Sequence, residues 1–324
     1  MHSQMPGATE GAREPPLVIV NPRSGGGQAG RTFSEVRRVL ERRLGAVDVA
    51  FTAQPAHAIE LAREAALAGT ELVIAVGGDG TLHEVANGVL DAGVGDRTGV
   101  GYVGQGTGGD FRRTLGVEHR LDAYVEAIAS GRRRVVDAGK LLYRGPDGKQ
   151  ARRWFVNILS AGMGGLVDRY VSDTTKVVGG KAAYFWASAR ALVSCQRARL
   201  RCDVSLEGEQ HQRSLETFMI AICNGQYFGS GMHVAPMASP DDGRFEVVSM
   251  DAPGKLAFAA FSRRIYEGRH LTAPGVQHFA CDRIAIDLEN ERAREVFLLD
   301  VDGEPLGGLP LEVELVKRAL TLRV

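Results

Sequence analysis

The stretch from Val76 to Val85 (VGGDGTLHEV) constrains this chain most, because an apolar strand runs directly into glycines, one carboxylate and one hydroxyl. The preceding Glu71–Val76 run is short and β-branched, which is typical of a strand buried on both faces of a parallel sheet. Glycines at such a junction let the backbone approach an anion, and a helix that follows offers unpaired N–H groups. Since Asp79 would repel bare phosphate, the stretch predicts a nucleotide bound together with Mg²⁺.

The first half of the chain alternates strand and helix patterns, which predicts parallel strands joined by right-handed crossovers. We expect strands at 17–20, 47–51, 72–76 and 100–103, and helices at 33–44, 56–68, 81–91 and 121–129. Glycine-rich loops follow the first, third and fourth of these strands. Such loops converge at the carboxyl edge of a parallel sheet, where open α/β folds bind ligands. No GxxxxGK[ST] motif is present and no GxGxxG motif opens the first unit, so neither a Walker-type NTPase nor a dinucleotide dehydrogenase is favoured.

After about Val135 the pattern changes to strand-like runs separated by turn signals, which predicts a mainly β second domain. The exception is Val177–Val193, whose spacing predicts an amphipathic helix. Such a helix either packs on the β domain or forms a wall or lid of an apolar substrate site.

Composition excludes several classes of protein. The 324 residues suffice for two domains, and a net charge of zero argues against a nucleic-acid-binding protein that relies on a global positive field. The four cysteines form no CxxC pair, so buried reduced thiols and a cytoplasmic location are expected. Residues 1–16 are polar and Pro-rich and predict a mobile tail. No apolar run is long enough to cross a bilayer, so any membrane contact is expected to be peripheral.

Two acidic turns in the second half are open to two interpretations each. Asp302-Gly303-Glu304-Pro305 is either an ordinary hairpin turn or the source of a carboxylate, Glu304, that takes the proton of a hydroxyl nucleophile. Asp241-Asp242-Gly243 is either a turn or a cation site.

Several segments together resemble the diacylglycerol kinase catalytic-domain family, and within it the soluble bacterial lipid kinases that are similar to sphingosine kinases. The resemblance covers Leu17 to Val324, and its order and spacing match. The segments are Asn21 to Gly25, Gly77 to Val85, Gly106 to Phe111, Asn224 to Met232, Ala235 to Gly243, and Asp302 to Pro305.

The resemblance implies an α/β fold, with an N-terminal phosphofructokinase/NAD-kinase-like nucleotide-binding domain and a C-terminal β-sandwich domain. The nucleotide-binding domain would comprise residues 17–137 and 309–324, because the last strand is expected to return to it, and residues 138–308 would form the β-rich lipid-substrate domain. The implied activity is ATP-dependent phosphorylation of a lipid hydroxyl, of a diacylglycerol or sphingoid-like substrate, with ATP and Mg²⁺ as cofactors.

The resemblance also implies roles for individual residues. Glu304 would be the proton acceptor, and Asp79, with Asp110 and Asp137, would organise Mg²⁺ and water at the phosphates. Asp242 would ligate a structural Mg²⁺ beside the carbonyls of Ser239 and Arg244. The residues expected to bind ATP are Asn21, Pro22, Arg23, Ser24, Gly25, Thr52, Gly78, Asp79, Gly80, Thr81, Leu82, His83, Glu84, Thr107, Asp110 and Asp137.

Two residues depart from the family pattern. Gly109 stands where the family usually has Asn, which removes a side-chain amide from the loop. His83 stands where bacterial members usually have Asn, although sphingosine-kinase-like members resemble this chain in having His. An acid or base role for His83 would need a partner that the sequence does not identify.

Expected partners are a lipid substrate and, transiently, the membrane surface, with no nucleic acid; a homodimer is possible. The arginines Arg190, Arg197, Arg199 and Arg201, with the run Gly131–Arg134, are candidates for contact with an anionic leaflet, or else form a solvated surface. Two other functions stay open: a kinase of a soluble alcohol, as in NAD kinases, and a catalytically silent nucleotide-binding regulator.

Overall fold

The computed structural model describes residues 14–106, 108–174 and 190–324. Its first half alternates strands and helices as the sequence predicts. The strands are β1 (Leu17–Val20), β2 (Asp48–Phe51), β3 (Leu72–Gly77) and β4 (Gly99–Gly104). The helices are α1 (Ser24–Leu44), α2 (His57–Ala68), α3 (Asp79–Asp91), α4 (Asp110–Leu115) and α5 (Leu121–Ala129).

The strands of the first half form a parallel sheet in the order β2-β1-β3-β4. Every residue of β3 is buried, because helices cover both faces of this sheet. Apolar residues such as Val73 pack towards one face and residues such as Ile74 towards the other, in two separate hydrophobic clusters. This arrangement brings the carboxyl ends of β1, β3 and β4 to one edge.

The second half is mainly β. Its strands are β5 (Arg133–Arg144), β6 (Gln150–Phe155), β7 (Ile158–Gly162), β8 (Ala198–Leu206), β9 (Glu209–Thr217), β10 (Met219–Cys223), β11 (Tyr227–Phe228), β12 (Met232–His233), β13 (Phe245–Met250), β14 (Val276–Cys281), β15 (Arg283–Leu288), β16 (Leu298–Val301) and β17 (Glu304–Arg323). Among the described residues, α6 (Met163–Thr174), α7 (Lys255–Tyr266), the helical residues 190–194 and a 3₁₀ turn (Glu291–Ala293) accompany them. The buried side chains form two clusters, one of which packs around α6 and α7.

The long strand β17 connects the two halves of the molecule. It pairs antiparallel with β16, β15 and β5, and its last residues, Thr321–Arg323, pair in parallel with β4. The end of the chain therefore extends the parallel sheet of the first half. The domain boundaries given above remain a prediction.

Three helices were not predicted from the sequence. The six-residue helix α4 is too short to show a periodic pattern, and α6 begins at Met163-Gly164-Gly165, which reads as a turn. Helix α7 contains an apolar run without clear alternation. The helix predicted at Val177–Val193 lies largely outside the described residues, and residues 190–194 are helical. All four cysteines are buried and free, as predicted.

Candidate active site

Three glycine loops meet at the carboxyl edge of the parallel sheet. A Cβ placed on Gly25 would lie 2.3 Å from the carbonyl oxygen of Gln105, one on Gly78 would lie 3.2 Å from Ser24 Oγ, and one on Gly106 would lie 3.3 Å from Gly78 Cα. The three loops predicted to converge are therefore in contact. Gly25, Gly26 and Gly27 have φ values of 61°, 65° and 85°, a conformation that glycine adopts readily.

The loop after β1 is ordered by its own backbone. Asn21 donates its amide to the Val76 carbonyl, and its side-chain oxygen accepts the Arg23 amide at 3.1 Å. Ser24 lies beside Gly78, while Pro22 and Arg23 are partly and fully exposed at the same edge. Thr52 follows β2 and donates its amide to Val20. These predicted nucleotide-binding residues all lie at the ends of parallel strands.

Asp79 begins α3 and holds the start of α4. Its Oδ2 accepts hydrogen bonds from the Gly109 amide at 2.7 Å and the Asp110 amide at 3.3 Å. Its Oδ1 is buried and has no hydrogen-bond partner among the described residues. Burial and the nearby Asp110 carboxylate raise the pKa of Asp79 to about 6. An unsatisfied, destabilised carboxylate oxygen facing a cavity fits a divalent cation, because a cation would compensate both the charge and the missing contact.

Asp110 is the second carboxylate at this edge. Its Oδ2 accepts the Ser230 amide at 2.8 Å, and its Oδ1 pairs with Arg113 at 2.5 Å. Burial nevertheless raises the pKa of Asp110. The Ser230 contact joins the first half of the molecule to the loop between β11 and β12.

His83 lies between the two carboxylates of the turn between β16 and β17. Its Nδ1 is 3.0 Å from Asp302 Oδ2 and its Nε2 is 3.4 Å from Glu304 Oε2. Burial lowers the pKa of His83, but the hydrogen bonds and charges of Asp302 and Glu304 outweigh it and raise the pKa to about 9. Burial likewise raises the pKa of Glu304, but His83 and Arg153 more than compensate, so the pKa of Glu304 is lowered.

Asp302 is fixed by the backbone of the second half. Its Oδ1 accepts the amides of Asn157 and Ile158, and its Oδ2 accepts the amide of Val156, at 2.9 to 3.0 Å. With His83 this makes four hydrogen bonds to one carboxylate. Asp302 adopts φ of 53°, a conformation that Asp tolerates better than most residues.

A cavity of about 320 Å³ begins at these carboxylates and extends into the second half. Its polar end is lined by Asp79, Asp110, Asp300 and Asp302. The remainder is apolar and includes Met163, Val167, Met219, Phe228, Met232, Phe258 and Ile265, with the half-exposed Tyr266 at the surface. A polar entrance joined to an apolar chamber suits an amphiphile whose reactive group is polar.

Three predicted nucleotide-binding residues direct their side chains elsewhere. Leu82 is buried in the hydrophobic core beneath the sheet, and Glu84 accepts the amides of Ala56 and Ala58 at the start of α2. The side chain of Asp137 does not contact Asp79 or Asp110. It accepts the amides of Gly243 and Arg318 instead, because β5 carries it to the 239–244 loop.

The remaining predicted positions of the glycine loops fall into two groups. Gly80 adjoins Asp79 in the first turn of α3, and Thr81 is buried with its Oγ1 lacking a partner among the described residues. Thr107 lies outside the described residues.

At the predicted structural Mg²⁺ site, the Asp242 carboxylate already has hydrogen-bonding and ion-pair partners within the protein. The carboxylate accepts the Arg244 amide at 3.2 Å and lies 3.4 Å from Arg244 Nε, and the Ser239 carbonyl accepts the Asp242 amide. Among residues 14–106, 108–174 and 190–324, no group of three or more His, Cys, Asp or Glu side chains is arranged to hold a metal ion. A cation here would rely on backbone carbonyls, and its binding stays a prediction.

Gly109 adopts a left-handed backbone conformation, which glycine reaches more easily than other residues. It has φ of 63°, and a Cβ there would lie 2.8 Å from Arg112 Nε. The guanidinium of Arg112 therefore occupies the space next to the position where the family usually has Asn.

Sequence reasoning missed the partners of His83. In the sequence Asp302 shows only a turn pattern, and no motif surrounds Asn87. The Asn87 side chain makes two hydrogen bonds to the Trp154 backbone and approaches the His83 ring. The i, i+4 spacing of His83 and Asn87 was an available signal, because it places both on one face of α3.

Comparison with known proteins agrees with this architecture. Residues 15–141 match the diacylglycerol kinase catalytic domain, and residues 157–324 match the YegS C-terminal NAD kinase beta sandwich-like domain. The chain belongs to the diacylglycerol kinase catalytic-domain family. The predicted fold class, a nucleotide-binding α/β domain followed by a NAD-kinase-like β-sandwich, is thereby confirmed.

Individual members of this family are similar along nearly their whole length. A diacylglycerol kinase of Bacillus subtilis is 27% identical over 297 residues, covering 91% of each chain. A probable lipid kinase YegS-like protein of Enterobacter sp. is 25% identical over 308 residues, covering 95% of each. A solved structure of a putative diacylglycerol kinase from Bacillus anthracis has the same fold, with a TM-score of 0.72 at 23% identity and 96% coverage of both chains.

Membership in this kinase family makes the chain a phosphotransferase. Among the described residues, no helix is long and apolar enough to span a membrane. In this phosphotransferase the two halves of the chain meet at His83, Asp302 and Glu304.

Proposed function

We propose that this protein transfers the γ-phosphoryl group of ATP to the hydroxyl group of a membrane lipid. The observation that supports this most is the cavity of about 320 Å³, which joins the carboxylates at the sheet edge to an apolar chamber. A soluble alcohol such as a sugar or nucleotide would gain little from Val167, Met219, Phe228 and Phe258, whereas an acyl or alkyl chain would be desolvated there.

The nucleotide is expected at the glycine loops around Gly25, Gly78 and Gly106, where backbone amides and little side-chain volume are available. Glu304 follows Asp302 and Gly303, which line the cavity, and its pKa is lowered by His83 and Arg153, so we propose it as the acceptor of the hydroxyl proton. In phosphoryl transfer most of the catalytic effect comes from positioning and charge stabilisation, so one proton acceptor suffices.

A Mg²⁺ ion bound with the nucleotide would neutralise phosphate charge. Asp79 is the residue best suited to hold it, because its buried Oδ1 lacks a partner among the described residues. Asp110 adds a second negative charge nearby. Burial raises the pKa of both carboxyl groups, and Asp110 further raises that of Asp79, so a divalent cation would stabilise their ionised forms.

Contact with the membrane is proposed to occur through α7 rather than through the arginines identified from the sequence. Arg197 pairs with Asp251, Arg199 with Glu216 and Arg201 with Asp287, so much of their charge is already offset. On α7, Arg263 lies 3.2 Å from Glu267 but its side chain stays 90% exposed, and Arg264 is exposed as well. Both adjoin Tyr266, which lines the cavity and is 47% exposed. An aromatic residue flanked by cations is suited to a headgroup region. A cytoplasmic, peripheral location, and the homodimer, stay proposals.

Incubation of the purified protein with mixed lipid extract, Mg²⁺ and γ-labelled ATP tests the function. We expect label in an organic-phase product that mass spectrometry identifies as a lipid phosphate. Parallel reactions with NAD and with sugars test a soluble acceptor, and label only in those reactions would contradict the proposal. Absence of label in every reaction would favour a silent nucleotide-binding regulator.

Vesicle sedimentation tests the route to the membrane. The variant Arg263→Ala/Arg264→Ala should bind vesicles of phosphatidylglycerol and phosphatidylcholine several-fold more weakly than the wild type. A matched variant, Arg199→Ala/Arg201→Ala, should bind nearly as well, because these arginines are paired. If Arg199→Ala/Arg201→Ala weakened vesicle binding more than Arg263→Ala/Arg264→Ala, the membrane contact would lie at the arginines predicted from the sequence.

A further inference from the structure

We propose that His83 is a positioning residue that holds Glu304 as the ionised proton acceptor and ties it to the backbone of the second domain through Asp302. This inference rests on the proposed function, because Glu304 can act as a general base only if the protein phosphorylates a hydroxyl group. It concerns a residue that stands in place of the family's usual Asn, and it assigns a consequence to that difference.

The three side chains form a continuous row. Asp302 Oδ2 is 3.0 Å from His83 Nδ1, and His83 Nε2 is 3.4 Å from Glu304 Oε2. Asp302 is anchored by three backbone amides, so it cannot follow movements of the ring. The ring is 1% exposed, which leaves water little access to replace either contact. His83 is therefore oriented from one side by a fixed carboxylate and presents its other nitrogen to Glu304.

The ring must carry protons on both nitrogens to satisfy both neighbours. A neutral imidazole has one N–H and would leave a lone pair directed at a carboxylate. Two carboxylates flanking a buried ring thus favour the imidazolium. A positive charge next to Glu304 favours the ionised carboxylate, and the ion pair with His83 holds its Oε2.

Charged and polar groups on β5, β6 and α3 surround the Asp302–His83–Glu304 row and influence its electrostatics. Arg153 on β6 lies 3.9 Å from Glu304, and Glu84, on the same helix as His83, adds negative charge near Glu304. Tyr143 on β5 is close enough for burial to raise its pKa while the charge of Arg153 lowers it and that of Glu304 raises it. On α3, Asn87 contacts the His83 carbonyl and approaches the ring at 3.3 Å. Arg153 alone does not replace His83, because it is farther from Glu304 and partly exposed.

An Asn at position 83 could donate one hydrogen bond but could carry no charge. It would also be too short to bridge Asp302 and Glu304 simultaneously. The variant His83→Asn therefore removes the charge and the bridge, and the smaller Asn side chain adds no bulk to this buried position.

The first test is the pH profile of lipid phosphorylation. In His83→Asn the acid limb of kcat/KM should move to higher pH by about one unit or more, because Glu304 loses a cation within hydrogen-bonding distance. On the acid side of this limb the rate should fall about tenfold for each unit of the shift, at pH 8.5 it should fall much less, and KM for ATP should stay within about twofold. His211→Asn, which removes a histidine paired with Glu209 on an exposed hairpin, should keep the wild-type profile.

A double variant separates positioning from general loss of structure. Because His83 acts through Glu304, His83→Asn should lower kcat little further in a Glu304→Gln background. Equal losses in both backgrounds, or an unchanged acid limb in an active His83→Asn enzyme, would overturn the proposal.

The second test needs no activity. In the free protein, NMR titration of the His83 ring should give a midpoint above pH 8, and Glu304→Gln should lower it by at least one unit. A His83 titration midpoint that is the same in the wild type and in Glu304→Gln would overturn the pairing of His83 with Glu304, even if the protein phosphorylated lipid. Conversely, a wild-type protein that phosphorylates no lipid but shows the coupled titration would refute the proposed function and leave the pairing intact.

Discussion

Asp79 shows how a single residue can be unfavourable for stability and suitable for function. Its carboxylate caps α4 through the Gly109 amide, yet burial and Asp110 raise its pKa to about 6. A carboxyl group whose pKa is higher in the folded than in the unfolded state binds more protons when folded. Stability therefore decreases as pH rises from about 4 to 6. Above pH 6 the ionised Asp79 remains a source of strain unless a cation offsets it.

We predict that Asp79→Asn abolishes lipid phosphorylation, by at least 100-fold in kcat, while raising the melting temperature at pH 8 without Mg²⁺ by a few degrees. The amide keeps much of the shape and loses the destabilised charge. Differential scanning calorimetry with and without Mg²⁺ checks this: Mg²⁺ should raise the melting temperature of the wild type and leave the variant unchanged. A variant that is stabilised by Mg²⁺ as much as the wild type would contradict the assignment of the cation to Asp79.

Glu304 is expected to act only in the chemical step. Glu304→Gln keeps the hydrogen-bonding shape but accepts no proton, so kcat should fall by about 10² to 10⁴-fold with KM for ATP nearly unchanged. Glu312→Gln, an exposed position farther along the same strand, serves as the control. Steady-state kinetics with the lipid that the labelling assay identifies would measure the difference. A change in KM without a fall in kcat would argue against a proton-accepting role for Glu304.

At this scale the sequence predicts residue types better than residue partners. The glycines, Asp79 and Glu304 stand out because their chemistry is unusual for their local pattern. The contact of His83 with Asp302 joins residues 219 positions apart, and nothing in the local pattern of either indicates it. The partners of Asp137 are distant in sequence for the same reason, because β5 carries its carboxylate to the amides of Gly243 and Arg318. Its part in the Mg²⁺ and water network stays a prediction.

Among the elements, the glycine loops allow the sharpest comparison. Gly25 and Gly26 share left-handed backbone angles, but only a Cβ on Gly25 would collide with Gln105, at 2.3 Å, whereas nothing lies within 4 Å of one on Gly26. Both alanine variants therefore carry the same backbone penalty, of about 1 to 2 kcal/mol. Only Gly25→Ala should also displace the neighbouring loop.

We accordingly expect Gly25→Ala to raise KM for ATP at least tenfold and Gly26→Ala to raise it no more than about threefold. Nucleotide binding measured by calorimetry would check the same ranking without a lipid acceptor. Equal effects of the two substitutions would mean that backbone strain, and not the approach of the loops, controls the nucleotide site.

Helix α6 provides a wall of the apolar chamber, through Met163 and Val167. Val167→Phe should shorten the chamber, so kcat/KM for long-chain acceptors should fall about tenfold and that for short-chain acceptors much less. KM for ATP should not change. Leu67→Phe, at an exposed position on α2, is the control. Loss of activity that is independent of chain length would place the acyl chain elsewhere.

Apart from α4, the sequence predicts the elements of the first half to within two residues at most boundaries, because each of these elements is long enough to show its period. It does not predict α6, since Gly164 and Gly165 resemble a turn. A Cβ on Gly165 would lie 2.3 Å from the Leu298 carbonyl, so these glycines permit close packing of α6 against β16. The wall of the apolar chamber is thus built from residues whose local pattern points to a loop.

For the whole molecule, β17 decides whether the two halves behave as one unit. It begins at Glu304 in the active site, continues through the second half, and ends beside β4 in the first. Leu320, near its end, is fully buried in the hydrophobic core of the first half. A strand shared in this way should couple the unfolding of both halves, because neither sheet is complete without it.

We predict that Leu320→Ala lowers the free energy of unfolding by about 2 to 5 kcal/mol, since it leaves a cavity in a packed core. Because β17 is shared, the protein should still unfold in one transition, shifted to lower temperature, when followed by calorimetry and by fluorescence of Trp154 in β6. Leu67→Ala, exposed on α2, should change stability by less than about 0.5 kcal/mol. Two separate transitions, of which only one responds to Leu320→Ala, would show that the halves unfold independently despite the strand that they share.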